Sequence, residues 1–339
     1  MDKNKLAEIA KKLVAPGKGI FAADWSLRSS EKHFEKNDIE HNEESRRQYR
    51  QMLFATQGIE EFISGVIFFD ETIRQKSDKG KPFPQLLKER GIIPGIKVDK
   101  GTVDMEGFPG EKVTEGLDGL SERLKEYFEL GARFAKWRAV FGVGEGRPTS
   151  QCIESNSESM ARFAALSQEA GLVPIVEPEV LMAGIHDIAR DEEVTIKVLA
   201  ETFSYLEKHK VFIEGTILKT NYVHPGKESG DKVDYQLIAE ETFQTLERTV
   251  PPNLPGVVFL SGGDSPEEST AHLNAIAKLK KDVPWELSFS YARALQYPAI
   301  EIWQGKNENK EAAQKAFYHR AKLNSLARMG KYLPGMEND

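Results

Sequence analysis

Cysteine is nearly missing from this chain: Cys152 is the only one in 339 residues, so no internal disulfide can form and nothing points to an oxidising compartment. Long apolar runs are missing as well. No stretch approaches the roughly 20 residues that a membrane-spanning helix needs, and residues 1–14 carry six Lys, Asp or Glu side chains among Leu6, Ile9, Ala10 and Leu13, which reads as an amphipathic helix and not a signal peptide. A cytoplasmic, soluble protein with no membrane partner is expected. A surplus of positive charge is also lacking. The formal charge of −7 argues against nucleic acid as a partner. The 7 histidines, at 33, 41, 186, 209, 224, 272 and 319, show no paired ligand spacing, so no metal is expected. His186-Asp187 reads as loop surface. Gly142-Val143-Gly144-Glu145-Gly146 lacks the spacing and following helix of a dinucleotide fingerprint, and no cofactor is expected. Low-complexity segments, linkers and sequence-level repeats are absent.

What is present is a soluble globular composition, 40% hydrophobic and 29% charged, able to bury a large core. Short apolar runs recur at 18–23, 64–69, 92–98, 132–138, 172–177, 211–219, 256–261 and 285–290. The segments between them are long enough for helices, and several have helical spacing: Leu120, Leu124 and Phe128, then Leu237, Ile238, Phe243, Leu246 and Val250 on one face. Gly91, Gly131 and Gly171 fall where a helix C-cap should precede the next strand. Eight strand–helix units without a composition break predict an α/β fold, a closed (β/α)8 TIM barrel spanning residues 1–339 as one catalytic domain. An N-terminal helix precedes it. An extra helix over 307–331 follows, with Ala316, Phe317, Leu323, Leu326 and Met329 as its apolar positions.

Polar groups end these runs, and in such barrels the C-terminal strand ends carry the chemistry. They are Asp24, Lys97 and Asp99, Lys136 and Arg138, Glu177 and Glu179, Lys219, Ser261 and Arg293. Residues two apart in a strand share a face about 7 Å apart, so each pair projects to one side. Any one of them alone reads as a solvated strand boundary; together they place both signs of charge on one rim. Lys219 closes an apolar run, as a Schiff-base lysine would. At a reference pKa near 10.4 only about one such amine in 2,500 is neutral at pH 7, so burial or a neighbouring cation, with Lys136 the candidate, is expected to help deprotonate it. Glu177 and Glu179, crowded together, are expected to have raised pKa values suited to proton transfer, with structural ion pairing as the alternative. Ser261-Gly262-Gly263 and Ser290-Tyr291-Ala292-Arg293 follow the seventh and eighth strands, whose loops commonly cradle phosphate in this fold. Backbone amides and Arg293 would be the ligands.

The chain resembles class I fructose-bisphosphate aldolases over almost its whole length. The segments that carry the resemblance are Gly19-Ile20-Phe21-Ala22-Ala23-Asp24, Gly95-Ile96-Lys97-Val98-Asp99-Lys100-Gly101, Gly116-Leu117-Asp118-Gly119-Leu120-Ser121-Glu122-Arg123, Phe134-Ala135-Lys136-Trp137-Arg138, Pro174-Ile175-Val176-Glu177-Pro178-Glu179, Gly215-Thr216-Ile217-Leu218-Lys219, Phe259-Leu260-Ser261-Gly262-Gly263 and Phe289-Ser290-Tyr291-Ala292-Arg293-Ala294-Leu295. The resemblance implies a metal-independent lyase of glycolysis and gluconeogenesis. It would cleave fructose 1,6-bisphosphate reversibly into dihydroxyacetone phosphate and glyceraldehyde 3-phosphate, and act as a homotetramer. By the same resemblance Lys219 is the nucleophile and Glu177 the main proton shuttle. Glu179 orders the lysine network, Lys136 helps form and dehydrate the carbinolamine, and Asp24 assists carbon–carbon cleavage. Ser261, Gly262 and Gly263 with Ser290, Ala292 and Arg293 would hold the phosphate near the ketone; Lys97, Arg138, Ser26 and Ser29 would face the far one.

The chain departs from the family pattern at Trp25, which replaces an acid, at Leu27 and Arg28, which replace a small pair, and at His33, where arginine is usual. Arg28 could serve as a new phosphate ligand. Because these positions fall at the far end of the substrate, two alternatives stand beside the main reading: a preference for tagatose or sedoheptulose bisphosphate, and a catalytically silent binding scaffold. Thr220 and Ala292 replace a usual proline and glycine. Residues 335–339 end the chain without the tyrosine-terminated tail of many animal members, so a proton transfer assisted by that tyrosine is expected to run differently here.

Overall fold

Alternation along each strand decides which side chains enter the barrel. In the computed structural model, which describes residues 1–232, 234–279 and 283–338, ten strands form in chain order: β1 (Gly19–Ala22), β2 (Ile63–Phe68), β3 (Ile93–Lys97), β4 (Thr102–Asp104), β5 (Lys112–Thr114), β6 (Phe134–Phe141), β7 (Val173–Val180), β8 (Ile217–Thr220), β9 (Gly256–Phe259) and β10 (Glu286–Tyr291). Eight of them close a parallel barrel in the order β1-β10-β9-β8-β7-β6-β3-β2. The closed (β/α)8 fold expected from the sequence is therefore observed. The closing residue Asp339 lies outside the described residues.

Two apolar clusters result. On the outer face, Trp137, Val176, Leu218 and Phe259 pack under the surrounding helices, with Trp137 stacked on Phe163 of the helix Ser150–Glu169 at 5.7 Å between ring centroids. On the inner face, Ile20, Ile67, Phe134, Ile175, Ile217 and Val258 meet Leu6, Ile9, Ala10 and Leu13 of the helix Lys3–Leu13. That helix closes the N-terminal end of the barrel. Its 3.6-residue spacing puts these four on one stripe, so the amphipathic pattern seen in the sequence is explained by the barrel floor it covers. Glycine makes room for large groups on both faces: a Cβ on Gly95 would lie 2.3 Å from the Phe134 ring of the floor, and one on Gly19 would lie 2.5 Å from Phe289 in the outer cluster.

Several expectations need correction. The apolar run 211–219 is only partly strand, because a 3-10 turn, Ile213–Gly215, precedes β8. The antiparallel pair β4 and β5 was not anticipated, since β4 is fully exposed and has no apolar alternation to betray it. Leu237 and Met329, assigned to apolar faces, are exposed. The C-terminal helix is Lys310–Arg328, and its buried face uses Ala313, Phe317, Ala321 and Leu323, with Ala316 half-buried. Among the described residues, no helix is long and apolar enough to cross a membrane.

Candidate active site

The strand period of two carries each inward row from apolar floor to charged mouth. Phe134 is followed on the same face of β6 by Lys136 and Arg138, Ile175 on β7 by Glu177 and Glu179, and Ile217 on β8 by Lys219. Asp24 stands two residues beyond Ala22 of β1. Their side chains line a cavity of about 910 Å³ at the C-terminal ends of the strands. Lys97 and Asp99, Ser26 and Ser29, Ser261, Gly262, Ser290, Ala292 and Arg293 line the same cavity. Of the residues predicted from sequence, Gly263 and Arg28 do not; the Cβ position of Gly263 lies 3.5 Å from Arg293 Nη2 and from Lys227 Nζ. Arg28 is exposed and lies off the cavity wall.

Four buried charges form a chain at the centre. Lys219 Nζ donates to Glu177 Oε1 at 2.9 Å. Glu177 Oε2 lies 3.1 Å from Lys136 Nζ, which also donates to Asp24 Oδ2 at 2.7 Å. All four are under a tenth exposed, so each charge depends on its neighbours. Burial would raise the Asp24 carboxyl, but the Lys136 and Lys219 ammonium groups outweigh it and hold it at about 2. Burial likewise works against the Lys136 ammonium, yet Asp24 and Glu177 keep it firmly protonated, above the usual lysine range.

Glu177 corrects one expectation. Crowding with Glu179 was to raise its pKa. It is lowered instead, because burial is overcome by Lys136 and Lys219 on either side. Glu179 is turned away toward Arg138, its salt-bridge partner. The expectation that Lys136 acts directly on Lys219 changes for the same reason: the Glu177 carboxylate bridges the two amines. Chemically the site holds a buried lysine amine in contact with an ionised carboxylate, with a second ammonium–carboxylate pair next in line.

The cations on the cavity wall differ in how they are committed. Lys97 Nζ contacts Asp99 Oδ1 at 2.5 Å, and Arg138 pairs with Glu179. Arg293 has no carboxylate partner among the described residues. It begins the helix Arg293–Trp303. Ser290 Oγ nearby on the same wall is buried without a hydrogen-bond partner among the described residues. Gly262 and Gly263 take the left-handed φ values of +58° and +101°, in the loop after β9 whose Ser261 and Gly262 line the cavity. Ala292 has φ −101°, so the position tolerates a side chain where glycine was the expected residue. Trp25 is buried against His33, with ring centroids 4.2 Å apart. Tyr297 Oη lies 3.2 Å from His33 Nδ1. Arg123 also lines the cavity and donates to the Val98 carbonyl at 2.9 Å; its midhelix position gave no signal of this.

Two histidine readings change. His186 is buried, with Nε2 3.3 Å from Asp191 Oδ2, while Asp187 caps the helix Ile188–Lys208. And although the sequence shows no paired ligand spacing, the fold gathers His224, His272 and Asp264, one potential ligand atom from each lying within 4.8 Å of the others.

The family model for "Fructose-bisphosphate aldolase class-I" matches residues 5–339. The chain is 52% identical to the Arabidopsis thaliana protein "Fructose-bisphosphate aldolase 4, cytosolic", over 94% of this chain and 81% of that relative. It is also 52% identical to a probable class 1 fructose-bisphosphate aldolase of Xanthomonas axonopodis pv. citri, over 98% of this chain and 99% of the relative. The fold superposes with a TM-score of 0.97 on a Plasmodium falciparum fructose-bisphosphate aldolase solved with TRAP and a small-molecule inhibitor; the two are 48% identical, with 98% of this chain and 96% of that chain covered. On the family match, on identity over nearly the whole length and on the shared barrel, this chain belongs to the class I fructose-bisphosphate aldolase family.

Proposed function

We propose that this chain cleaves fructose 1,6-bisphosphate through a Schiff base on Lys219, the reaction of its family run by the charge chain in the barrel mouth. The observation that carries the reading is the 2.9 Å contact of Lys219 Nζ with Glu177, inside a cavity that Arg293 also lines, with no carboxylate partner among the described residues. Glu177, ionised between two ammonium groups, takes the proton that Lys219 must lose. The neutral amine then adds to the substrate ketone. Loss of water from the carbinolamine, protonated through Glu177 with Lys136 beside it, leaves an iminium. Asp24 assists removal of the C4 hydroxyl proton, the C3–C4 bond breaks, and its electron pair passes into the iminium as an enamine. Glyceraldehyde 3-phosphate leaves. Protonation and hydrolysis of the enamine then release dihydroxyacetone phosphate and restore Lys219.

Ser261, the amides of Gly262 and Gly263, Ser290, Ala292 and Arg293 hold the phosphate near the ketone, since a guanidinium with no carboxylate partner among the described residues and left-handed glycines make an anion cradle there. Lys97, Arg138, Ser26 and Ser29 receive the far phosphate, which must compete with Asp99 and Glu179 for the two cations. Glu179 acts through Arg138. Fructose bisphosphate is preferred to the tagatose and sedoheptulose sugars because all the relatives named above bear the fructose name. The chain works as one catalytic unit in the cytosol and assembles as a homotetramer. The deciding experiment is borohydride reduction in the presence of dihydroxyacetone phosphate, followed by peptide mass mapping. A reduced adduct on Lys219 is expected; an adduct on another residue, or none despite full turnover, overturns the mechanism.

A further inference from the structure

Behind the phosphate loop lies a second buried polar cluster that the aldol chemistry does not use. His224 follows β8, Asp264 ends the 261–264 turn after β9, and His272 faces them from the helix Pro266–Leu279. His224 and His272 are 4% and 1% exposed, and Asp264 is 8% exposed. His224 Nε2, Asp264 Oδ2 and both ring nitrogens of His272 have no hydrogen-bond partner among the described residues. Three buried groups with unmet lone pairs facing one another are costly unless something joins them.

The outer atoms of two of these groups are already held. His224 Nδ1 donates to the Pro225 carbonyl at 2.5 Å; a carbonyl can only accept, so the proton is on Nδ1 and the Nε2 lone pair is free. Asp264 Oδ1 takes Lys227 Nζ at 3.3 Å, which leaves Oδ2 free. A backbone carbonyl or charged group gripping the far atom of a ligand is the arrangement that orients side chains around a metal. His272 Nε2 is 3.7 Å from Asp264 Oδ2. Ligand atoms around an ion with bonds of about 2.0–2.1 Å sit roughly 3.3 Å apart in a tetrahedron, so the 4.8 Å limit of the trio requires closure by at most about 1.5 Å. Two imidazoles and one carboxylate suit first-row divalent ions of the zinc type over Mg²⁺ or Ca²⁺, which prefer oxygen.

We propose that His224, Asp264 and His272 form a binding site for one divalent transition-metal ion of the zinc class, which braces the phosphate loop from behind. The link to that loop is short: Asp264 N donates to the Ser261 carbonyl at 2.9 Å, and Ser261 and Gly262 line the active cavity. The ion would be a brace and not a reactant, since the trio is absent from the cavity wall.

The test uses the full chain stripped with chelator and titrated with Co²⁺, read by visible d–d absorption, and with Zn²⁺, read by competition against a chromophoric chelator and by the rise in Tm. The expected result is one equivalent bound with a tetrahedral cobalt spectrum, weakened by more than about tenfold in both His272→Ala and Asp264→Asn. Zinc should raise the Tm of the parent chain and leave both variants unmoved. The Asn variant keeps the shape of the side chain, so it carries the test should His272→Ala fail to fold. Equal affinity and equal spectra in parent and variants, or no binding by the parent, overturn the proposal. Turnover in chelator should persist while the Tm falls, which separates a failure of this site from a failure of the Schiff-base mechanism.

Discussion

Phe134 and Lys136 lie two residues apart on one face of one strand, yet they belong to regions with opposite physics. Around Phe134 the inner barrel is apolar and sealed by Leu6, Ile9 and Leu13. Around Lys136 it is a chain of four buried charges. The pair Ile175 and Glu177 and the pair Ile217 and Lys219 repeat the step on β7 and β8. Burying an apolar side chain stabilises by about 1.5–3 kcal/mol, whereas a buried ion pair is close to neutral for stability and costly only when broken. The lower layer therefore holds the barrel closed and the upper one is free to be specified by chemistry. A slip of one residue in strand register would turn Trp137 into the mouth and Lys136 under the helices, so the floor also fixes which residues can react.

The sharpest way to break this division is Lys219→Ala. Turnover should fall by roughly four orders of magnitude or more, as for other removed nucleophiles. Unfolding free energy in urea should change by no more than about 2 kcal/mol, because Glu177 keeps Lys136 at 3.1 Å as a partner. A variant that loses its fold along with its activity would mean the upper layer carries the barrel too. The converse substitution is Phe134→Ala, expected to cost about 3–5 kcal/mol of stability. Measured on the folded fraction, its kcat should stay within about tenfold of the parent. Equal losses of kcat in the two variants would abolish the distinction.

A smaller effect tests whether the upper layer contributes to stability at all, and its sign follows from Asp24. The carboxyl sits at about 2 in the folded chain, below its ordinary value of 3.8. A depressed carboxylate stabilises above its unfolded pKa and loses that contribution as pH falls through the folded one. Asp24 should therefore supply about 2 kcal/mol that disappears between about pH 5 and pH 2. Urea unfolding of Asp24→Asn across that window should show a correspondingly shallower loss. Identical slopes in parent and variant would show that Lys136 and Glu177 absorb the change without it.

Much of this division can be read in the sequence, and the part that cannot has a definite cause. Strand ends were legible because apolar runs stop at Lys219, Lys136 and Glu177, and because a period of two commits neighbouring residues to one face. The N-terminal helix was legible from its stripe, though not its role as a floor, which depends on where the barrel's open end falls. The direction of the Glu177 shift was not legible: spacing shows Glu179 as its neighbour, but register sends Glu179 to Arg138 and places two amines beside Glu177. His224, Asp264 and His272 come together only because β8 and β9 are adjacent. No linear pattern carries that contact.

The rim above the charged layer gives the smallest expected effect and extends the comparison to a third level. His33 lines the cavity, half-buried beside Trp25 and Tyr297, and burial, with Arg293 and Lys36 adding to it, pushes its pKa down to about 4. The unfolded chain takes up this proton near 6.5 and the folded chain does not, so His33 contributes stability above pH 6.5 that is lost as pH falls through 4. Its partial exposure limits the effect to about 1 kcal/mol after solvent screening. At neutral pH it is uncharged and adds nothing to the attraction for a far phosphate, whose other cations, Lys97 and Arg138, are already tied to carboxylates. His33→Arg should therefore lower KM for fructose 1,6-bisphosphate by a few-fold, about 1 kcal/mol for a partly exposed charge, while kcat stays near the parent value because the Lys219 layer is untouched. The gain should fade at high ionic strength. A change in kcat larger than the change in KM would mean that rim and reaction layer are coupled through Trp25, and that the strand rows do not act as separate levels.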